Sequence, residues 1–242
     1  TESASVFFGD PARFNRRPIR GRFDKTRCYR CPASMRTNIY VDGFNLYYGC
    51  LRGTPYRWLD LRALCQGLLP GHQINRIRYF TAKVSARPSD PSQPSRQDAY
   101  LRAIQTLPEV SVFFGQFLSG PKRLPLANPP PGGPATVEVL RSDEKGTDVN
   151  IATLLLTDGF EGDYEQALVI TNDSDLKMPI EVVASKLKKP VGIALPLTLP
   201  RRYPSQVLIQ AATFQKHIRN GLLAKCQFPP IVDGTIHKPA TW

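Results

Sequence analysis

The sequence lacks any long hydrophobic run. Nothing in its 242 residues approaches the roughly 18 to 20 uninterrupted apolar residues that a membrane-spanning helix needs. The first ten residues also lack the order of basic, apolar and small residues that is typical of a secretory signal. We therefore expect a soluble, cytoplasmic protein with no membrane partner.

The sequence is also poor in cysteine. It holds five, an odd and scattered set that does not suit a secreted disulfide framework. Cys28 and Cys31 form a single C-x-x-C pair, but a zinc site needs two more ligands at compatible spacing, and no second pair or nearby histidine pair is present. Glycine-rich nucleotide-binding motifs are missing too, which argues against a nucleotide-dependent enzyme.

Positive charge is abundant but unevenly distributed. The chain has 32 Lys+Arg and 20 Asp+Glu, a net charge of +12, and residues 1–36 carry half of that excess. This leading segment has no helical or strand periodicity and few large apolar residues, so it cannot offset its own ordering entropy. We expect a disordered basic extension over residues 1–34, or sequence foreign to the functional protein. The functional domain is predicted at 35–220, followed by a tail at 221–242 that packs on the domain or trails from it.

Beyond residue 36, short apolar runs alternate with amphipathic stretches. Strands are predicted at 38–41, 76–82, 110–118, 136–140, 167–171 and 191–195, and helices at 59–69, 94–107, 148–156, 176–187 and 205–218. Six prolines between Pro121 and Pro134 predict an irregular loop. The alternation predicts an α/β fold, a Rossmann-like three-layer sandwich with a mainly parallel sheet. In such folds, ligands bind beyond the carboxyl ends of the strands.

Short polar residues follow the predicted strands where this rule places a site. Asp42 and Asn45 follow the first strand, Asp148 opens a helix, and Asp173 and Asp175 follow a later strand. Each aspartate alone suits a turn or a helix N-cap. Several carboxylates at one crevice repel one another unless a cation lies among them, and Mg²⁺ or Mn²⁺ would suit such a cluster. The joint pattern favours metal-assisted attack of water on a phosphodiester.

Three segments carry a family resemblance. TNIYVDGFNLYYG at 37–49, EKGTDVNIATL at 144–154 and VITNDSDL at 169–176 together resemble the NYN domain, the LabA-like branch of the PIN-like nuclease group. The resemblance extends over about residues 35–242. It implies a PIN-like nuclease fold, an Mg²⁺ or Mn²⁺ cofactor and hydrolysis of RNA phosphodiester bonds. The acidic metal site that it implies is Asp42, Asp148, Asp173 and Asp175.

Roles follow from this resemblance as hypotheses. Asp42 and Asp173 are predicted to ligate the metal directly, Asp148 and Asp175 to complete the shell directly or through water, and one of these acids to orient the attacking water. Asn45 completes the predicted catalytic set by bonding Asp42 or a phosphate oxygen.

Single-stranded RNA is the predicted substrate. Four residues are predicted to contact it: Lys145, Asn172, Arg78 and Lys83. Tyr47, Tyr48 and Tyr79 offer surfaces on which bases can stack, although core packing is the better explanation of these tyrosines.

Two alternatives stay open at this point. The domain can be a non-catalytic RNA-binding or regulatory module that keeps the acidic pocket only for structure. A phosphatase-type enzyme with Asp42 as nucleophile is disfavoured, because the second aspartate expected two residues later is Phe44. The sequence is compatible with a homo-oligomer but does not specify the oligomeric state.

Overall fold

Short runs of β-branched and aromatic residues form the centre of the molecule. In the structure, a computed structural model that describes residues 35–199 and 203–241, six of these runs pair in one sheet. Its strands are β1 (Arg36–Asp42), β2 (Gln73–Thr81), β3 (Val110–Phe114), β6 (Gln166–Ile170), β7 (Val191–Leu195) and β8 (Phe214–His217). The basic segment 1–34 and the pair Cys28 and Cys31 lie outside the described residues.

Helices and two small ribbons complete the fold. A hairpin is formed by β4 (Gln116–Pro125) and β5 (Thr136–Lys145), and a second by β9 (Ile231–Val232) and β10 (Ile236–His237). The helices are α1 (Gly43–Leu46), α2 (Leu61–Leu68), α3 (Gln93–Gln105), α4 (Thr147–Phe160), α5 (Lys177–Ser185), α6 (Gln206–Ala211) and α7 (Asn220–Lys225). A π-helical turn at Tyr47–Leu51 continues α1, and a 3₁₀ turn at Ser174–Leu176 precedes α5. None of the described helices is long and apolar enough to cross a membrane.

The strand order locates the crevice. The sheet runs β3-β2-β1-β6-β7-β8 with every neighbouring pair parallel. From β1 the chain adds β2 and then β3 on one side. It then returns to place β6 on the other side of β1, and adds β7 and β8 beyond β6. The order reverses between β1 and β6, which is where open α/β sheets bind ligands, at the carboxyl ends of the strands. The predicted Rossmann-like sandwich with a parallel sheet is confirmed.

Both faces of the sheet are covered. Alternate residues of β1 point to opposite sides, so Ile39 and Val41 join one core and Tyr40 joins the other. The first core includes residues of α2, α3 and α7, and the second includes residues of α4, α5 and α6. β6 and β7 are buried along their whole length, as expected for central strands of a parallel sheet.

Several predicted element boundaries were wrong. The strand predicted at 110–118 is divided at Gly115, where a Cβ would lie 2.7 Å from the Lys145 carbonyl oxygen, so glycine allows the end of β5 to come this close. The helix predicted at 205–218 ends at Ala211, and its last part is the edge strand β8.

The irregular loop predicted between Pro121 and Pro134 was also wrong in part. Pro121 and Pro125 lie in β4 of the hairpin. A two-stranded ribbon consists only of edge strands, which tolerate proline because their outer N–H groups need no partner.

The last described residues pack into the first core. Phe228 is buried against the Trp58 ring, with the ring centroids 5.8 Å apart, and Trp58 Nε1 donates to the Pro229 carbonyl over 2.8 Å. Val232 and Ile236, on the small hairpin, are buried in the same core. This segment therefore covers one face of the sheet.

Candidate metal centre

Asp42 ends the strand β1 and lies at the bottom of the crevice. Its side chain is buried and caps α1, because Asn45 N donates to Oδ1 over 2.9 Å. Oδ2 accepts from Asn45 Nδ2 at 2.6 Å and from Thr171 Oγ1 at 3.0 Å. Since each carboxylate oxygen has two lone pairs, these bonds leave one free on Oδ1. Burial raises the pKa of Asp42 above its ordinary value. The hydrogen bonds from Asn45 and Thr171 lower this pKa, but burial has the larger effect.

Glycine is required next to this aspartate. A Cβ at Gly43 would lie 2.7 Å from the Phe80 carbonyl oxygen and 2.7 Å from the ring and hydroxyl of Tyr79. The close approach of the turn to β2 explains why the motif reads D-G. Any larger residue would displace the chain that carries the Asp42 carboxylate.

Thr171 connects the first acidic segment with the second. It follows β6 directly, and its hydroxyl donates to Asp42 Oδ2 and accepts from Asp173 N over 3.0 Å. Asp173 in turn caps the 3₁₀ turn, with Oδ1 accepting from Asp175 N at 3.0 Å. The two aspartate segments are thus joined by hydrogen bonds across the point where strand order reverses. Sequence reasoning missed Thr171, although it lies directly before the N-D-S-D motif.

Asp148 lies in the first turn of α4, half-buried. Burial raises its pKa to about 6, with further increases from the negative charges of Asp173, Asp42, Glu144 and Asp175. The negative charges of the other three predicted acids therefore all act on the Asp148 carboxylate. Asp175 itself is exposed.

Glu144 is a fifth acid at this cluster that sequence reasoning did not single out. Its Oε1 accepts from Thr147 N at 3.2 Å and from Thr147 Oγ1 at 2.6 Å, so it caps the start of α4. The available signal was its spacing: an acid three residues before Thr147, at the start of a helix.

The carboxylate oxygens of Asp42 and Asp173 suit a hard divalent ion, provided that water supplies its other ligands. Among residues 35–199 and 203–241, no three His, Cys, Asp or Glu side chains converge closely enough to hold a metal ion by themselves. Mg²⁺ commonly uses only one or two protein carboxylates and keeps several waters. Asp42 Oδ1 has a lone pair left, and Asp173 Oδ2 accepts no hydrogen bond from a described residue. The residues therefore fit an ion held by two carboxylates and water.

Two of the predicted RNA-contacting residues make internal contacts. Arg78 forms a bidentate ion pair with Asp158, with Nε and Nη2 each 2.6 Å from a carboxylate oxygen, and its side chain is mostly buried. Asn172 binds the following loop, donating to the Tyr203 carbonyl at 3.1 Å and accepting from Ser205 N at 2.9 Å.

The two predicted lysines are more open. Lys83 is exposed in the loop after β2, with Nζ 5.5 Å from the centre of the Phe114 ring. Lys145 is exposed at the end of β5, two residues before α4 begins. Lys83 follows a strand of the sheet, whereas Lys145 ends a strand of the hairpin. The RNA-binding roles of these residues remain predictions.

Aromatic side chains border the acidic cluster. Phe44 stacks on Tyr48 with the centroids 6.5 Å apart and meets the edge of Phe117, on the hairpin, at 5.7 Å. Tyr47 packs edge-on against Tyr48. All four rings are only partly buried. They provide stacking area within a few residues of Asp42.

The chain is similar to proteins of known sequence or structure. A solved structure of a Vibrio parahaemolyticus RIMD 2210633 protein of unknown function aligns with a TM-score of 0.48 at 18% identity, over 77% of this chain and 94% of that one. A curated relative, 6-hydroxy-3-succinoylpyridine 3-monooxygenase HspA of Pseudomonas putida (strain DSM 28022 / S16), is 32% identical in an alignment that covers 86% of this chain and 75% of the relative. The NYN domain model matches residues 36–218, and the chain belongs to the NYN domain family.

Proposed function

We propose that the chain is a metal-dependent ribonuclease that hydrolyses phosphodiester bonds of single-stranded RNA at the acidic crevice. The observation that carries the proposal is the hydrogen-bonded connection from Asp42 through Thr171 to Asp173 at the switch point of the sheet. A turn former or a simple helix cap would not need this link between two strands. Membership of the NYN family, which suggests a nuclease-type enzyme, supports the same conclusion.

The surroundings of each acidic residue determine the role that we assign to it. Asp42 and Asp173 would hold Mg²⁺ or Mn²⁺, since each keeps a carboxylate lone pair available. When bound, such an ion lowers the pKa of water and shields the charge that develops on the phosphate. Asn45 fixes the Asp42 carboxylate through two hydrogen bonds. Its role is therefore to position Asp42.

Asp148 and Asp175 complete the proposed centre. Asp148, with its pKa near 6, is suited to accept a proton from the attacking water at neutral pH. Asp175 is exposed and adds negative charge at the rim of the crevice. The exposed ammonium groups of Lys83 and Lys145 are available to phosphate oxygens of the strand.

The test is cleavage of 5′-labelled single-stranded RNA by the full chain in Mn²⁺, Mg²⁺ or EDTA. We expect cleavage with either ion and none in EDTA. Asp173→Asn and Asp148→Asn should each lower the rate at least a hundredfold, because the first removes a proposed metal ligand and the second removes the proposed proton acceptor. The matched control is Asp98→Asn, an exposed acid on α3 whose loss should leave the rate unchanged.

The same assay addresses the non-catalytic alternative. If the parent protein binds RNA but leaves it intact with both ions, the domain is an RNA-binding module and the ribonuclease proposal is wrong. Equal cleavage by the parent and Asp173→Asn would show that the reaction takes place elsewhere or comes from a contaminant.

A second candidate function rests on the curated relative. That protein is named as a monooxygenase of a hydroxypyridine with an acidic side chain. Here, a cavity lined by four tyrosines and by Gly43 lies next to Asp42, and such a cavity suits a small heteroaromatic ring. Monooxygenation needs O₂ and a two-electron donor, so the test is substrate-dependent oxygen consumption with a reduced nicotinamide or flavin. Consumption that persists in Asp173→Asn, without RNA cleavage by the parent, would favour this candidate.

A further inference from the structure

The hairpin of β4 and β5 exposes large apolar side chains. Leu118 is 60% exposed, Leu140 89% and Val137 43%. Among residues 35–199 and 203–241, no other strand pairs with either edge of this ribbon. An isolated two-stranded ribbon is marginally stable in water, and additional strands stabilise it. A long strand edge with exposed apolar side chains also favours pairing with a strand of another chain.

The charges of the distal ribbon, residues 118–143, largely neutralise one another. Lys122 Nζ and Arg141 Nε each lie 2.6 Å from a carboxylate oxygen of Asp143. Arg123 lies opposite Glu138 in the register of the two strands. Because nucleic-acid affinity depends on cations that are free to replace the counterions of phosphates, RNA is a poor partner for this part of the ribbon. Its apolar side chains and its backbone remain available for a protein partner.

The hydrogen bonds of the hairpin show which backbone groups point outward. Leu126 N donates to the Ala135 carbonyl over 2.9 Å, so these two residues form a hydrogen-bonded pair. Hydrogen-bonded and non-hydrogen-bonded pairs alternate along an antiparallel ribbon. The next pair, Pro125 with Thr136, and every second pair after it therefore turn their N–H and C=O positions toward the outer edges.

Proline closes the outer edge of β4. Pro121 and Pro125 both belong to the outward-facing set, and neither has an N–H group to donate. The outward-facing residues of β5 all keep this donor, and in the distal ribbon they are Thr136, Glu138, Leu140 and Ser142. One edge of the ribbon is thus closed to strand pairing, and the other is open.

The sequence of β5 suits antiparallel pairing with a second copy of itself. A two-fold axis at Glu138 or at Arg141 would place like charges directly opposite each other, which is unfavourable. An axis at Val139 avoids this and also brings two pairs of hydroxyl groups together. In that register the opposed residues are Val139 with Val139, Glu138 with Leu140, Val137 with Arg141, and Thr136 with Ser142. The outward backbone groups of the two open edges then bond each other.

We propose that two copies of this chain associate through the open edge of β5, antiparallel over residues 136–142, and form one four-stranded ribbon in the order β4-β5-β5-β4. The prolines of β4 then lie on both outer edges, so the assembly closes at two copies and does not grow into a fibre. The paired segment is about 23 Å long, and an interface of this size lies below the roughly 1,200 Å² that stable complexes bury. The dimer is therefore weak, with a dissociation constant on the order of 10–100 µM.

Sedimentation equilibrium of the full chain, in EDTA and a thiol reductant, tests the proposal over about 2–500 µM protein. We expect the average mass to rise with concentration from that of one chain to that of two and no further. Leu140→Pro removes an outward N–H group, as Pro121 opposite it already does, and leaves the bonds inside the hairpin intact. This variant should dissociate at least tenfold more readily. The matched control, Leu118→Ser, removes an exposed leucine from the closed strand and should dimerise as the parent does.

Two charged variants locate the two-fold axis. Val139→Glu and Val139→Lys each place like charges opposite each other at the axis, so each should self-associate about fivefold more weakly than the parent. An equimolar mixture of the two should associate at least as strongly as the parent, because opposite charges then face each other. Circular dichroism checks that every variant is folded.

Three results would overturn the proposal. They are a mass that stays at one chain at every concentration, an unchanged dissociation constant in Leu140→Pro, and a mixture that associates no better than either charged variant alone. The measurement contains no RNA and no divalent ion. Its outcome is therefore independent of the metal centre and of the ribonuclease assay.

Discussion

The negative charge of Asp148 is repelled by four other carboxylates. Its ordinary pKa is 3.8, and burial together with Asp173, Asp42, Glu144 and Asp175 raises the folded-state value to about 6. Between these two values the folded chain binds more protons than the unfolded chain, so stability falls as the pH rises through this window. Above pH 6 the whole penalty is present, and an ion among the carboxylates would relieve it.

Asp148→Asn should therefore stabilise the protein at neutral pH. We expect the melting temperature to rise by about 2–4 °C at pH 7.5 and to stay the same at pH 3.5, where the parent carboxyl is protonated as well. The small value allows for solvent screening of a half-exposed group. Thermal melts of both proteins across this pH range measure the effect. A stabilisation that is equal at both pH values would exclude charge repulsion as its cause.

An experiment can distinguish two roles of Arg78, an internal ion pair and a contact with RNA. Asp158 is buried and receives hydrogen bonds from Arg78 and from the Tyr40 hydroxyl at 2.6 Å. Removing one partner of a buried pair leaves an uncompensated charge, which costs about 3–5 kcal/mol. Arg78→Met should lower the free energy of unfolding by this amount, as measured by urea denaturation. Loss of RNA affinity at unchanged stability would instead support the substrate contact expected from the sequence.

At the scale of elements, the hairpin of β4 and β5 stands apart from the sheet. Within the described part of the chain its two strands pair only with each other, and most of their side chains are exposed, including Leu118 and Leu140. Contact with the body occurs at the base, where Phe117 meets Phe44 and Glu144 caps α4. The distal part buries little apolar surface, so it contributes little to stability.

Shortening this hairpin tests that description. Gly120 and Arg141 are paired across the ribbon, so an Asn-Gly turn can replace residues 121–140. We expect the melting temperature to change by less than about 3 °C, because less than 1 kcal/mol is lost. A much larger decrease in calorimetry would mean that the distal hairpin packs on the body. Phe117 and Glu144 remain in the shortened chain and serve as its internal control.

The parts of the fold that sequence could predict are those with strong periodicity. The buried run at Ala167–Ile170 and the amphipathic spacing of Leu61, Leu64 and Leu68 predict a central strand and a surface helix, and the structure has both. β8 was missed because its four residues, Phe214–His217, are half exposed and continue a helix-like pattern. Its strand state comes from tertiary pairing with β7.

The residues of the site also differ in how far the sequence could predict them. Asp42 and Asp173 follow strand ends, and the position of a strand end can be read from local pattern. The contact of Thr171 with Asp42 depends on β1 and β6 being neighbours, although 129 residues separate the two side chains. Strand order is a property of the whole chain.

At the scale of the whole molecule, charge should govern RNA affinity more than RNA cleavage. Residues 1–34 include eight of the 32 basic residues and only three acids. Removing them should weaken RNA binding and reduce its dependence on salt, because fewer counterions are released. The metal-dependent rate at saturating RNA should be retained. Binding isotherms at several salt concentrations, with single-turnover rates, provide the measurement, and an unchanged salt slope would contradict it.

We propose that the crevice between β1 and β6 holds a divalent ion. Anomalous diffraction from crystals of the full chain soaked in Mn²⁺ tests it most directly. We predict one strong peak within ligand distance of the carboxylates of Asp42 and Asp173, with Asp148 in contact directly or through water, and no peak there in crystals of Asp173→Asn. A peak elsewhere, or none at millimolar Mn²⁺, would contradict the account.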